Sequence, residues 1–490
     1  MSATSSTTLN HDVEERVPMP GPKERPADGD FQVILDPEEH PQNLSLVRKW
    51  IAVLVISSAS LCVTCSSSVA SFTEQGVADE FRIPHLVAVL SLSLFVEGLG
   101  LGPLLVGPLS EVYGRNIVYR VSYSLFFLCS FPVAFAPNAS VYLIFRFASG
   151  FCGAAFLSVA GGSVSDLFSD STVANPMAVY TISPFIGPVL GPLLSGFINQ
   201  NLYWRWTFRI QTIWVFFQLI ALYLLVPETY VPVLLRWKAR RLRRSTGYAK
   251  DVAPLDMEDR HLLHAIAVSC YKPFQLMMFD RMALLLNLWT ALILGILYLT
   301  FQAFPVIFRD GHGFSMQTTG MTFLGIGIGM LLAIFTQPFW NRLFNREAAK
   351  NGGQAPPETR LIMGQLGGIL VPVGLFWLAF TTYPHVHWIA PIIASVPFGA
   401  GIYFVFTSTF TYLVTAYRPI AASAMAANSA LRSLFAAVFP LFAGAMYARL
   451  GTVGATALLA GLTTLMAPLP FIFHRIGPRL RAKSRFAVTS

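Results

Sequence analysis

Charged side chains are scarce in this sequence. Asp, Glu, Lys and Arg make up 12% of its 490 residues, about half of the roughly 25% found in soluble domains. Hydrophobic residues account for 54%, and the mean hydropathy is +0.57. The charges lie in clusters between apolar runs and do not follow one face of amphipathic helices. This distribution excludes an ordinary soluble multidomain protein and indicates a chain that crosses a membrane many times.

Cysteine and nucleotide-binding motifs are also sparse. Four of the five cysteines lie inside apolar runs, and the Cys62-x-x-Cys65 pair has no histidine or second cysteine pair beside it, so we interpret these cysteines as packing residues and expect no disulfide framework. The sequence lacks a Walker-type phosphate loop and a complete set of metal ligands. We therefore expect no ATP-driven pump, no enzyme, no cofactor and no metal site.

The first 47 residues are acidic, polar and rich in proline. This composition is typical of a disordered tail, and the segment has neither the basic start nor the cleavage site of a signal peptide. We expect the first apolar run to act as an internal signal-anchor.

Twelve apolar runs follow, each about the 20 residues that a helix needs to cross a bilayer. A long polar interval separates the sixth run from the seventh and divides the chain into two halves. We expect a disordered tail at 1–47, a six-helix bundle at 48–227, a central loop with an amphipathic helix at 228–281, a second six-helix bundle at 282–474 and a basic tail at 475–490. The predicted spans 1 to 12 are 50–70, 86–106, 118–136, 141–165, 176–198, 204–226, 283–308, 318–340, 361–382, 387–410, 420–448 and 452–473.

Lys and Arg cluster on one side of the predicted spans. They precede span 1, link spans 2 and 3, follow span 6, link spans 8 and 9 and follow span 12, which predicts that both termini are cytoplasmic. The net charge of +9 reflects this asymmetry and needs no nucleic-acid partner. By the same topology, the Asn138 sequon lies on the outer side in a loop close to the membrane.

Two charged residues lie in the turn between spans 2 and 3. In the stretch 107–115, GPLSEVYGR, Glu111 and Arg115 are four residues apart, which would place them on one helical face as an ordinary ion pair. Gly107 and Gly114 permit a sharp turn with close backbone approach. The stretch is predicted to be either a moving hinge or a simple helix-end turn.

The same stretch resembles the signature between helices 2 and 3 of the major facilitator superfamily, and further motifs follow in order. The sequence is similar to fungal drug:proton antiporters of the twelve-span type over roughly residues 45–486. The matching motifs are 107–115, 146–153 (RFASGFCG), 186–196 (IGPVLGPLLSG), 204–208 (WRWTF) and 226–230 (VPETY).

The resemblance implies an all-α polytopic membrane protein of the major facilitator fold, with twelve transmembrane helices in two six-helix bundles around a central cavity. It implies alternating access by rocking of the two halves, with Gly107, Glu111, Gly114 and Arg115 as a cytoplasmic latch. The glycines and prolines of the antiporter motif would let span 5 bend and pack closely against the other half. These motif residues are Gly187, Pro188, Gly191, Pro192 and Gly196.

Ionisable residues inside the spans are few and costly, at about 2.5–3.5 kcal/mol each on insertion scales. Glu97 lies near the middle of span 2 and Arg146 lies in span 4. We expect both to take part in proton coupling, although each could instead form a static packing contact.

Spans 1, 7 and 11 offer hydroxyl, amide and aromatic side chains that suit amphipathic organic molecules. The candidate substrate-binding residues are Ser67, Tyr298, Gln302, Phe304 and Asn428. The sequence thus predicts a secondary active transporter that exports a drug, toxin or secondary metabolite in exchange for protons. We expect it to work as a monomer in the plasma membrane, with the lipid bilayer, protons and a small molecule as its partners. A nutrient importer of the same fold and a non-transporting membrane sensor remain the alternatives.

Overall fold

Long helices form almost all of the chain that the computed structural model describes, which comprises residues 31–169, 172–246, 251–252, 262–351 and 355–484. Eleven described segments are long and apolar enough to cross a membrane. The last of them, Ala421–Ala482, has 62 residues, about three times the roughly 20 residues that one crossing needs. Gly451 in this segment has a left-handed backbone, with φ at 70°. This break separates spans 11 and 12, so the described chain accommodates the twelve predicted crossings.

The spans keep the numbers of the sequence prediction. Spans 1 to 6 comprise Leu46–Ser68, His85–Tyr113, Arg115–Ala134, the three consecutive helices Ala139–Gly153, Ala155–Ser158 and Ala160–Leu167, then Ala174–Asn201 and Arg205–Leu225. Spans 7 to 12 comprise Arg281–Phe304 with its π-helical continuation Pro305–Asp310, the three helices Met316–Thr322, Leu324–Phe335 and Gln337–Lys350, then Leu361–Thr381, Ile389–Ala416 and the two parts of Ala421–Met466.

Shorter helices lie outside the spans. The α-helices are Glu74–Phe81, Val231–Thr246, Leu262–Phe279 and Leu469–Lys483, and the 3-10 helices are Pro37–Glu39, Pro41–Asn43, Val69–Phe72, Pro357–Arg360 and Arg418–Ile420. With twelve crossings, the segment before span 1 and the segment after span 12 lie on one face of the bundle, as far as residues 31–484 are described. We call this the basic face, because the loops rich in Lys and Arg, between spans 2 and 3, 6 and 7, and 8 and 9, belong to it. The other end of the bundle is called the opposite face.

The two halves meet along helices that carry small and aromatic residues. The ring of Phe185 in span 5 lies 6.0 Å from that of Tyr403 and 5.7 Å from that of Phe406, both in span 10. A Cβ atom on Gly100 of span 2 would approach the Cβ atom of Ser433 in span 11 to 2.4 Å. Backbones this close leave little free volume at the boundary.

Part of the N-terminal segment contacts the central loop. Lys238 in the helix Val231–Thr246 forms ion pairs with Asp36 at 2.6 Å and Glu39 at 2.9 Å. Phe31–Gln32 pairs in parallel with Asp251–Val252 in a two-residue ladder. The segment from 31 to 47, which composition assigned to a disordered tail, thus has defined contacts because acidic residues meet a basic helix; residues 1–30 lie outside the described residues.

Candidate functional site

A glycine with a left-handed backbone separates spans 2 and 3. Span 2 ends at Tyr113, Gly114 has φ at 99°, and span 3 begins at Arg115. A Cβ atom at Gly114 would lie 2.5 Å from Oε2 of Glu228. Both the backbone conformation and the lack of space require glycine here. Because the helix ends between Glu111 and Arg115, these two residues do not share a helical face, contrary to the expectation from their spacing.

Glu228, which follows span 6, binds the junction between spans 2 and 3. Its buried carboxylate accepts hydrogen bonds from the backbone N–H groups of Arg115 at 2.9 Å and Asn116 at 3.1 Å. It also accepts from the N–H groups of Thr229 at 3.0 Å and Tyr230 at 2.9 Å. A carboxylate at a helix N-terminus satisfies orphan donors and complements the helix dipole. The sequence placed Glu228 in a family motif but gave no sign of this capping role.

The Arg115 guanidinium extends the junction to span 4. Its Nε lies 3.4 Å from Oδ2 of Asp166, and its Nη1 donates to Oγ of Ser110 at 2.7 Å. The guanidinium carbon lies 4.7 Å from the centre of the Tyr230 ring. The structure therefore joins Arg115 to Asp166, a residue that no sequence motif singled out. Gly107, a predicted latch residue, lies beside open space, since a Cβ atom there would meet nothing within 4 Å.

A buried ion pair lies on the basic face of the second half. Arg481, beyond span 12, donates to Glu358 through Nε at 2.7 Å and through Nη2 at 3.2 Å. Both side chains are nearly inaccessible to solvent. Asp280 accepts hydrogen bonds from the backbone N–H groups of Met282 and Ala283 and so caps span 7. In the sequence Arg481 contributes only to the topology signal, because a buried pair 123 residues apart leaves no local pattern.

Arg146 links three spans of the first half. Its guanidinium donates to the backbone carbonyls of Ser91 at 3.0 Å, Ser66 at 3.0 Å and Ser67 at 3.4 Å. It also lies over the ring of Phe95, 4.4 Å from its centre. A buried cation is tolerated where carbonyl dipoles and aromatic faces replace water. The arginine thus fixes span 4 against spans 1 and 2.

Glu97 lies half-buried in span 2. No residue in the described chain donates a hydrogen bond to its Oε2, although that atom is buried. The neighbouring glycines bring the helix close to other spans, since a Cβ atom at Gly98 would lie 2.5 Å from the carbonyl oxygen of Phe147. A carboxyl group with an unpaired buried oxygen is stabilised when a proton neutralises it.

Among the described residues, two pairs of side chains bind each other by hydrogen bonds across the boundary between the halves, Ser67 with Tyr298 and Glu74 with Gln302. The hydroxyls of Ser67 in span 1 and Tyr298 in span 7 are 2.7 Å apart. One helical turn further along span 7, Nε2 of Gln302 donates to both carboxylate oxygens of Glu74 at 2.8 Å. The structure therefore brings together three of the five predicted substrate-binding residues, where they bind the opposite half.

Glu74 is the residue of this boundary that the sequence did not reveal. It begins the short helix after span 1, and it is 3% exposed. Burial raises the pKa of its carboxyl to about 8, against the smaller opposing effect of the Gln302 amide. The signal that could have found it is a carboxylate directly after an apolar span, but a residue near a span end is ordinarily expected in water.

The other two predicted substrate-binding residues pack inside the second half. Phe304 is fully buried, with its ring centre 4.6 Å from that of Phe323. Asn428 in span 11 donates through Nδ2 to Asn287 at 3.0 Å and to Thr290 at 2.8 Å in span 7. In this conformation both residues hold helices together.

The glycines of span 5 lie against two partners. A Cβ atom at Gly187 would lie 1.9 Å from Oγ1 of Thr64, and one at Gly191 would lie 2.0 Å from Oγ of Ser68. Both contacts are with span 1 of the same half. Gly196 approaches the other half, where its Cβ atom would lie 2.7 Å from the carbonyl oxygen of Met316. Pro188 and Pro192 lie between these contacts inside one continuous helix, so the motif allows dense packing on both sides.

Comparison with known proteins agrees with this architecture. Residues 56–440 match the Major Facilitator Superfamily. The chain is 46% identical to "Efflux pump atB" of Aspergillus terreus, over 92% of this chain and 88% of that protein. It is 41% identical to "Probable drug/proton antiporter YHK8" of Saccharomyces cerevisiae, over 93% of this chain and 88% of that protein.

A solved structure shares the fold at low sequence identity. The xylose transporter XylE from E. coli, in a partially occluded inward open conformation, superposes with a TM-score of 0.61 at 16% identity, over 87% of this chain and 99% of that chain. Two bundles of six spans, motifs in order and a matched region that covers most of the sequence lead to one conclusion: the chain belongs to the major facilitator superfamily.

Proposed function

We propose that this protein exports small amphipathic organic compounds in exchange for protons. The observation that carries the proposal is similarity along more than nine-tenths of the chain to proteins named as an efflux pump and a drug/proton antiporter. The apolar and aromatic boundary between the halves supports amphipathic substrates, which bind surfaces of this kind with a few polar contacts.

The orientation that fits this function places the basic face in the cytoplasm and the opposite face outside the cell, with both termini cytoplasmic. Lys and Arg flank the spans on the basic face, as the positive-inside rule requires. We assign the protein to the plasma membrane, where export removes a compound from the cell, and we assign the transporting unit to a monomer, since each chain contains both halves.

Alternating access requires contacts between the halves to break in turn. Toward the opposite face, the Ser67–Tyr298 and Glu74–Gln302 hydrogen bonds join the halves. Opening toward that face would separate both pairs and expose Ser67, Tyr298 and Gln302 to a bound compound. Phe304 belongs to span 7 and Asn428 binds span 7 from span 11, so both would contribute by fixing the position of span 7.

We assign the predicted latch to the basic-face junction, which would hold spans 2, 3, 4 and 6 together during this motion. Gly114, Arg115 and Glu111 lie where spans 2 and 3 meet, and Arg115 and Glu228 tie that meeting point to spans 4 and 6. Such ties make the first half rigid on its cytoplasmic side. A rigid half moves as one body when the boundary rearranges.

Glu97 is the candidate proton carrier within the membrane, with Arg146 positioning the helices around it. The unpaired buried oxygen of Glu97 supports proton binding there. Arg146 is a positioning residue in this scheme, because its three hydrogen bonds go to backbone carbonyls of spans 1 and 2.

Transport in proteoliposomes with an imposed pH gradient tests the proposal. We expect an acidic lumen to drive uptake of a cationic or neutral aromatic compound, and Glu97→Gln to abolish the pH-driven part while ligand binding persists. Uptake that ignores the pH gradient would contradict antiport. Accumulation of a nutrient in the direction of proton flow would identify an importer of the same fold instead.

A further inference from the structure

We propose that Glu74 and Gln302 form a proton-controlled outer gate, in which closure of the opposite face takes up one proton at the Glu74 carboxyl. This inference rests on the proposed function only for its direction, since it needs the opposite face to be outside the cell. It assigns a proton site to a residue outside the spans and distinct from Glu97.

The Glu74–Gln302 pair lies across the boundary between the two halves. Glu74 belongs to the first half, in the helix Glu74–Phe81 that follows span 1, and Gln302 belongs to span 7 of the second half. The Gln302 amide nitrogen contacts both carboxylate oxygens at 2.8 Å. Any opening between the halves at this face must break these contacts and admit water to the carboxyl.

The surroundings of the Glu74 carboxyl differ between the closed and open states. In the closed state Glu74 is 3% exposed and its pKa is raised to about 8. In the open state the carboxyl is hydrated, and its pKa returns to the ordinary glutamate value of 4.5. A group with a higher proton affinity in one state shifts the equilibrium toward that state as the pH falls. External acid therefore favours closure.

The groups that face Glu74 set the size of this effect. His85 at the start of span 2 has its Nε2 3.5 Å from Oε2 of Glu74. Tyr142 of span 4 is near enough to interact electrostatically with the carboxylate, and the Gln302 amide is neutral. A protonated His85 imidazole would stabilise the charged carboxylate and so oppose closure in acid. The net direction follows burial, which is the largest influence on the carboxyl.

This gate fits the return step of an exporter. After a compound leaves to the outside, the empty carrier must close its outer face. Acid outside the cell would favour this closure by protonating Glu74. The charged carboxylate would favour the open gate, because it is more stable in water than when buried. The proton gradient would then bias the cycle before any proton reaches the membrane centre.

Distance measurement between two spin labels tests the gate without transport. Leu86 and Asp310 are exposed residues near the opposite face, one in each half, so cysteines at these positions can carry labels after the five native cysteines are replaced. In purified protein, we expect the ratio of the short-distance to the long-distance population to rise by up to about tenfold for each pH unit lowered between pH 8 and pH 5.

Three variants decide the assignment. Glu74→Gln, which has the shape of the protonated carboxyl, should give a population that does not change with pH. Asp79→Asn is the carboxyl control, since Asp79 is an exposed residue of the same short helix, and it should keep the response of the parent protein. His85→Gln removes the imidazole that lies 3.5 Å from the carboxyl and should leave the direction of the response unchanged. A Glu74→Gln protein that responds as the parent does, or a short-distance population that falls in acid, would overturn the proposal.

A further variant distinguishes loss of the titratable group from a general disturbance of the structure at position 74. Glu74→Asp keeps a titratable group and should retain a pH response, with a midpoint moved by its different burial. If Glu74→Asp and Glu74→Gln show the same pH-independent population, the carboxyl is not the sensor. A normal distance response together with absent pH-driven transport would instead reject antiport and leave the gate standing.

Discussion

The Glu228 carboxylate accepts a hydrogen bond from the backbone N–H group of Arg115 at 2.9 Å, so the end of span 6 fixes the place where span 3 begins. The two residues are 113 positions apart in the sequence. The contact fixes the turn at Gly114 between spans 2 and 3. The geometry of this turn therefore depends on a residue that follows span 6.

Removal of the Glu228 cap should destabilise the first half. Glu228→Ala leaves four backbone N–H groups without their acceptor, and we expect a loss of about 1–3 kcal/mol in the free energy of unfolding. Glu347→Ala is the control, since Glu347 pairs with Lys350 near the surface and should cost about 0.5 kcal/mol or less. Thermal unfolding in detergent compares them; equal losses would contradict the capping role.

Arg115 and Asp166 should depend on each other. Their side chains are 3.4 Å apart and partly buried. In a double-mutant cycle of Arg115→Gln and Asp166→Asn, we expect a coupling of about 0.5–3 kcal/mol. The cycle can be measured by thermal unfolding and by transport rate. Additive effects of the two substitutions would mean that the residues act independently.

Glycines of the antiporter motif should tolerate no side chain. Gly191→Ala would place a Cβ atom 2.0 Å from Ser68 Oγ, whereas Gly444→Ala in span 11 meets nothing within 4 Å. We expect the first change to impair folding or transport by forcing spans 1 and 5 apart, at a cost of about 1–3 kcal/mol. The second should be neutral or stabilising. Gly107→Ala should also be tolerated, which would show that this predicted latch residue is replaceable.

Lysine should not replace Arg146. The guanidinium reaches three backbone carbonyls on two spans, and a lysine ammonium cannot reproduce its planar set of donors. Arg146→Lys should therefore lower the unfolding temperature and the transport rate while the charge is kept. A variant with unchanged stability and lost pH dependence would instead place Arg146 directly in proton transfer.

Stability should depend on pH through Glu74. Because its pKa in the folded protein, about 8, lies above the 4.5 of an exposed glutamate, folding favours the protonated form. The contribution is therefore complete below about pH 4.5 and is lost as the pH rises through about 8, by an amount on the order of a few kcal/mol. Glu74→Gln should make the unfolding temperature depend less on pH between pH 5 and pH 9 than it does in the parent protein. An unchanged slope would assign the dependence to other groups.

The sequence alone determined the number of crossings, their division into two halves and the family. Apolar runs of bilayer length and clustered bases are local signals, and the bilayer forces each such run to become a helix because no water is present to satisfy the backbone. Glycine and proline at fixed spacing in span 5 also revealed close helix packing before its partners were known.

Only the tertiary structure decided which charges meet. The spacing of Glu111 and Arg115 predicted a shared helical face, but the left-handed Gly114 lies between them, and Arg115 pairs with Asp166. Glu74 lies just beyond a span, where sequence places it in water, yet the packing of two halves buries it against Gln302, 228 residues away. Burial and pairing of polar groups depend on helices that are distant in the chain, and no local pattern encodes them.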